Sequence, residues 1–369
     1  MRFELSPDEQ AVVQAVTAFA VGQLRVGAGK ADAAGQLPPV LWSKLRDLGV
    51  FGLCAAEDDG GLAVSAATWV ACLQALAEAD AGVATAVAEH GVAVQLVSAT
   101  QPADVRAAMA DGKQRAAVAR WSHAGHLDSA ISGLSASPAD GRWQLSGTKA
   151  WVPCAAAAHW IAALADTATG PQWFAVQSGQ SGVQCAAVGE QIGLRSVPAG
   201  ALVFVAAAGT PCGDGSGAVV DAWQMLSVAA VAAGVARAAL RHAGRYALDR
   251  VQFGAPIATL QPIQWQIADS AVACDVAELL IAKAAWQLQR DRDGGKPAGP
   301  ATLLAIRQAK VAAVQAAVAV ADRAVQIHGG YGYTREFPVE RAMRDAAVLQ
   351  VLHGTPARCK VQAAQQLAG

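Results

Sequence analysis

Gly329 and Gly330 mark the first place in this 369-residue chain where residue type and spacing could do chemistry. An apolar helical pattern stops there, and another begins near Pro338. Glycine reaches positive φ without steric cost, so backbone at such a corner can approach a ligand closely. On the double glycine alone, an ordinary helix-to-helix turn is the commoner reading. The other chemistry-bearing residues are scattered. His123, His126, His159 and His328 show no metal-ligand spacing, and seven cysteines form no CxxC pair. An odd, dispersed set fits neither a disulfide framework nor a zinc site, and points to free buried thiols in a reducing compartment. The ten tryptophans are spread along the whole chain and read as packing anchors.

The elements that must position that corner follow from periodicity. Ser6-Pro7-Asp8-Glu9 is a helix start: a capping serine, proline at the first helical position and acids in the first turn. The helical pattern that follows runs through Leu24. Further helices are expected over Pro39–Leu48, Ser65–Ala79, Ala81–Thr100 and Pro102–Ala110, which makes residues 1–112 an N-terminal helical domain. Over residues 113–217 glycine and proline recur and apolar runs shorten, with strands expected around Trp143-Leu145, Gln172–Val176 and Leu202–Ala206. This segment reads as a β domain. Residues 218–369 return to long alanine-rich helices at Val219–Asp249, Gln261–Arg290, Pro300–Ile327 and Pro338–Leu352, the pattern of a four-helix bundle.

Composition narrows the function. The chain carries 28 basic and 29 acidic residues, so no basic excess is available to hold nucleic acid. Only 15% of residues are charged and 54% are apolar, which calls for extensive burial between helices or between subunits. The most apolar run, Met225 to Leu240, is expected to fall short of a bilayer span and to form a buried bundle helix. The N-terminus reaches acidic residues at once and has no apolar signal core, so a cytoplasmic protein is expected.

Gln326-Ile327-His328-Gly329-Gly330-Tyr331-Gly332-Tyr333, the following Pro338-Val339-Glu340-Arg341-Ala342-Met343-Arg344-Asp345 and then Gly354-Thr355 together resemble the C-terminal signature of the acyl-CoA dehydrogenase family. Arg250-Val251-Gln252-Phe253-Gly254-Ala255-Pro256-Ile257, with Gln261, is similar to that family's second signature. The resemblance implies the same fold: helical domain, β domain, helical bundle. It also implies FAD held at a subunit interface and α,β-dehydrogenation of an acyl-CoA thioester. A glutamate takes the α-proton while the β-hydrogen leaves to the flavin.

The resemblance gives Arg250, Phe253, Gln261, Gln326, Gly329 and Gly330 the ADP half of a neighbouring subunit's FAD. Arg250 pairs with the pyrophosphate because a guanidinium offers a charged donor fork. For the isoalloxazine half it implies Trp151 as a ring-stacking residue and Thr355 near the ribityl chain. Here the chain departs from the family. Arg120 or Trp121 stands where a small hydroxyl residue is usual, Pro153 replaces a threonine, and Ala357 replaces a glutamine.

The usual glutamate before Gly-Thr is His353, and the alternative glutamate position in the first bundle helix is Gln224. An amide cannot take the proton, whereas histidine, ordinarily titrating near pH ~6.5, could. The groups that serve a partner's flavin are thus present, while those that serve the chain's own are altered. A subunit of a heteromer that completes a partner's FAD site is the expected role. The alternatives are a self-sufficient acyl-CoA enzyme using His353, as a homo-oligomer, and a cofactor-free scaffold.

Overall fold

The computed structural model describes residues 4–120, 133–139, 141–212 and 217–368. The N-terminal region comprises α1 (Pro7–Phe19), α2 (Arg25–Ala34), α3 (Pro39–Asp47), α4 (Ala66–Ala77), α5 (Ala81–Val97) and α6 (Ala103–Ala110). Ser6 caps α1 through a reciprocal capping box with Glu9. The first helical stretch does not end at Leu24: a π-helical turn over Ala20–Leu24 carries it into α2, which stops at left-handed Gly35. The apolar face simply continues through Ala28 and Ala31. Helix α5 is the central strut, with every residue from Ala81 to Val94 buried.

Seven strands follow: β1 (Ala116–Ala119), β2 (Leu134–Ala139), β3 (Arg142–Val152), β4 (Trp160–Thr167), β5 (Gly170–Gln177), β6 (Val183–Ala187) and β7 (Gly200–Pro211). Their pairings run in a ring, β2–β3–β7–β5–β4 and back to β2, with β1 added on β4 and β6 on β7. The ring closes on its own core of Leu145, Ile161, Phe174, Val176 and Phe204. Closure removes most unpaired strand edges.

The chain then enters α7 (Gly217–Asp249), a short hairpin of β8 (Val251–Gln252) and β9 (Ala255–Pro256), α8 (Gln261–Asp293), α9 (Pro300–His328), α10 (Val339–Leu349) and α11 (Pro356–Ala368). The fourth bundle helix is shorter than the sequence suggested, because the chain leaves the helix after Leu349 and turns at His353-Gly354. Helix α7 is long and apolar enough to cross a bilayer by length and composition, contrary to expectation, as are Pro7–Ala34 and Pro300–Tyr333. In α7 the apolarity has a local account, since 89% of its most apolar window is buried inside the protein. It packs on α4, α5, α8 and α9, with Trp69 donating to Ser227 across 2.9 Å. Six cysteines are buried or half-buried, but Cys185 is exposed on β6, at odds with a uniformly buried set.

Candidate functional site

Two places hold the sequence-predicted residues, and they differ in kind. The first is an open corner where α7 ends, α8 begins and α9 turns. Arg250 follows the last residue of α7, exposed, its guanidinium carbon 5.9 Å from the Tyr331 ring centre. The hairpin brings the chain back, with the Ile257 amide donating to the Arg250 carbonyl at 2.8 Å. Phe253 sits at the hairpin tip in the left-handed region (φ 55°) and is 94% exposed, so none of the described residues packs closely on it.

Gln261 is the first residue of α8, a helix whose N-terminus has no side-chain cap. Such an end presents N–H groups and a positive partial charge to an anion. Gln326 is exposed in the last turn of α9. Gly329 takes φ 59°, and a Cβ added to it or to Gly330 would meet nothing within 4 Å. The turn's backbone therefore faces open space. His328 fixes this corner from beneath: buried, bonded through Nδ1 to the Ala324 carbonyl at 2.7 Å and stacked on Tyr246 at 4.1 Å.

The second place is closed. His353 is buried, in the left-handed conformation (φ 52°), and its Nε2 contacts Glu89 Oε1 and, at 3.4 Å, Gln224 Nε2. Lys310, itself fully buried, holds the turn by donating to the carbonyls of Leu352 (2.6 Å), His353 (2.8 Å) and Gly354 (2.5 Å). A charged ammonium on three carbonyls offsets its burial and locks a backbone conformation that costs roughly 1 kcal/mol or more for a non-glycine residue. Oε2 of Glu89 and Oε1 of Gln224 are buried without a hydrogen-bond partner among the described residues.

The spaces beside His353 are small. One cavity of about 20 Å³ is bounded by Arg120, Asp221, Gln224, His353 and Arg358. Another of about 10 Å³ lies among Glu89, Val92, Gln224, Ser227 and Leu352. Each is of the order of a single water site. Arg120 closes one side by pairing with Asp221, one bond being 3.1 Å. Burial, and then Arg358, bring Arg120 down to about 10, so it stays cationic at neutral pH. Lys149, fully buried on β3, donates to the Arg120 carbonyl at 2.8 Å, and burial lowers it to about 7.

Sequence reasoning missed Glu89, Arg120's partner Asp221, and both buried lysines. Glu89 carried one signal: it is the single acid in a largely apolar α5. Trp151, at the end of β3, is half-buried against the main core and does not line the cavities beside His353. The Thr355 hydroxyl accepts the Arg358 amide at 3.2 Å in the first turn of α11, an N-capping role the resemblance did not imply. Trp121, His123 and His126 lie outside the described residues. A cavity of about 670 Å³ between α1, α4 and α8 contains none of the predicted residues.

The FAD that the resemblance implies therefore fits this chain in one half. Arg250, Gln261, Gln326 and the Gly329-Gly330 backbone could hold a pyrophosphate and its adenosine at the open corner. The two cavities described beside His353, about 20 and 10 Å³, are each far too small for a three-ring isoalloxazine.

The comparisons with known proteins agree with the fold. Residues 6–112 match the family description "Acyl-CoA dehydrogenase, N-terminal domain" and residues 222–367 "Acyl-CoA dehydrogenase, C-terminal domain". The probable acyl-CoA dehydrogenase YngJ of Bacillus subtilis is 26% identical over the whole of both chains. Benzylmalonyl-CoA dehydrogenase of Aromatoleum aromaticum is 27% identical, also over the whole of both. The structure of butyryl-CoA dehydrogenase from Megasphaera elsdenii superposes with a TM-score of 0.91 at 26% identity, covering all of each chain. With both terminal domains matched, in order, and full-length relatives of one kind, the chain belongs to the acyl-CoA dehydrogenase family of oxidoreductases.

Proposed function

We propose that this chain is one subunit of a heteromeric, FAD-dependent acyl-CoA dehydrogenase, completing a flavin site that lies mostly on a homologous partner. The observation that carries this reading is the contrast within one chain. The corner of Arg250, Gln261, Gln326, Gly329 and Gly330 is open, while the spaces around His353 amount to about 20 and 10 Å³. When bound, FAD supplies the acceptor for the hydride that leaves the acyl β-carbon. This chain's part is binding: Arg250 neutralises pyrophosphate charge, and Gln261 and Gln326 offer amide hydrogen bonds. The α-proton is then taken by a carboxylate of the partner.

Co-expression tests the reading. Alone, the chain purifies with little flavin and does not oxidise acyl-CoA; with a glutamate-bearing sibling, both appear, and His353→Ala in this chain leaves turnover unchanged. A chain that turns over acyl-CoA alone contradicts it. The Glu89–His353 contact favours a second reading, a self-sufficient enzyme in which His353 takes the proton. Loss of turnover by His353→Ala with flavin retained supports that alternative.

A further inference from the structure

A cavity of about 270 Å³ lies between α2, the α4–α5 turn, α7 and the segment leading into α10, with Arg25, His242, Arg335 and Arg341 on its walls. It is separate from the flavin corner: His242 lies eight residues before Arg250, about 12 Å back along α7. The acids on its walls are Glu78, Glu336 and Asp345. Glu78 is engaged by Arg241 and makes a longer ion pair with Arg25 Nη2, at 4.0 Å. Asp345 is buried and accepts the Leu194 amide at 2.7 Å. Glu336 is exposed at the rim.

The cations are less well served. Arg344, nearby on α10, is bound to Glu340 and Asp32. Arg335 and Arg341, by contrast, make no hydrogen bond or ion pair among the described residues. Arg25 Nε is buried with no acceptor. Gly29 lies against one of these groups, a Cβ there standing at ordinary contact distance, 3.6 Å, from Arg341 Nη1. A guanidinium N–H buried without an acceptor is unfavourable, and an oxyanion placed against it supplies the missing acceptor. His242 reports the same field: burial, then Arg241, Arg25 and Arg341, lower it to about 4.

We propose that this cavity is a phosphate-binding site, in which Arg25, Arg335 and Arg341 grip the oxygens of a free phosphate or of a small phosphate monoester. The volume equals roughly nine liquid-water shares, which leaves room for a short organic group beyond the phosphate. Calorimetric titration of the full chain with inorganic phosphate, and separately with glycerol phosphate, at ionic strength held constant with chloride, tests it.

Saturable binding in the millimolar range or tighter is expected, with the His242 imidazole resonance shifting and its titration midpoint rising. Arg341→Gln weakens binding by about tenfold, the loss of one charge-assisted contact. Arg245→Gln, which removes an exposed charge on α7, the helix that carries His242, leaves it unchanged. Tighter binding of glycerol phosphate assigns the site to an organic monoester, and equal binding to phosphate alone. Should Arg341→Gln fail to fold, the exposed Arg335→Gln serves in its place. No saturable heat from either anion, or variants that bind as the unaltered chain does, overturns the site. None of these readouts involves flavin or turnover, so they stand or fall apart from the heteromer reading.

Discussion

The corner at Gly329-Gly330 and the pocket at His353 are built by the same bundle, yet the first is open to its surroundings and the second is closed by the chain's own side chains. At the corner, side chains point outward: Phe253 is 94% exposed and the glycines face open space. At His353, an imidazole meets a carboxylate and an amide on a turn that a buried lysine holds through its carbonyls, beside cavities with room for little more than a water. On the heteromer reading proposed above, the contrast means that within a single fold a binding surface is kept while a reaction site is filled. Packing energy then accrues where ligand volume would otherwise be.

The largest effects are expected on the closed side. Glu89→Ala leaves the His353 imidazole buried without its carboxylate and opens a void, so stability should fall by about 3 kcal/mol. Urea unfolding measures this, and flavin retention by the complex should not change.

Next comes acid. His90, beside Glu89 on α5, accepts the Ala116 amide through Nδ1 (3.0 Å) and meets the Met109 carbonyl through Nε2 (3.1 Å), the pattern of a neutral ring. Burial lowers it to about 4 from the ordinary 6.5. The folded-state pKa is depressed, so the contribution is fully present above pH ~6.5 and is lost as pH falls towards ~4. A fall on the order of 2–3 kcal/mol across that window is expected, and His90→Gln should flatten it.

On the open side, Arg250→Ala should cost about 1.5–3 kcal/mol of flavin affinity in the heteromer, roughly ten- to a hundredfold, with the melting temperature of the chain alone unmoved. Equilibrium dialysis of flavin reads it. The smallest effect is that of Phe253→Ser on the lone chain's stability, within about 0.5 kcal/mol, because the ring buries nothing there. A larger loss would mean that Phe253 packs against a second copy of this chain.

The same contrast explains what was legible in the sequence. The open corner is made of local motifs: Arg250 to Gln261 spans one hairpin, and Gln326 to Gly330 one helix end, so order and spacing carry it. Helices and strands were legible from period and from glycine, although the join of α1 to α2 was not, because a π-helical turn keeps the apolar face continuous where the α-period slips. The closed site is assembled from distant segments. His353 meets Glu89 across 264 positions and Gln224 across 129. Those partners were invisible to spacing, and Lys310 read as one more residue of an alanine-rich helix.

The most direct measurement is the flavin count per chain in purified protein. The account predicts near zero for this chain alone and one flavin per pair of unlike chains in the co-expressed complex. One flavin on every copy of a homo-oligomer of this chain, active on acyl-CoA, would contradict it.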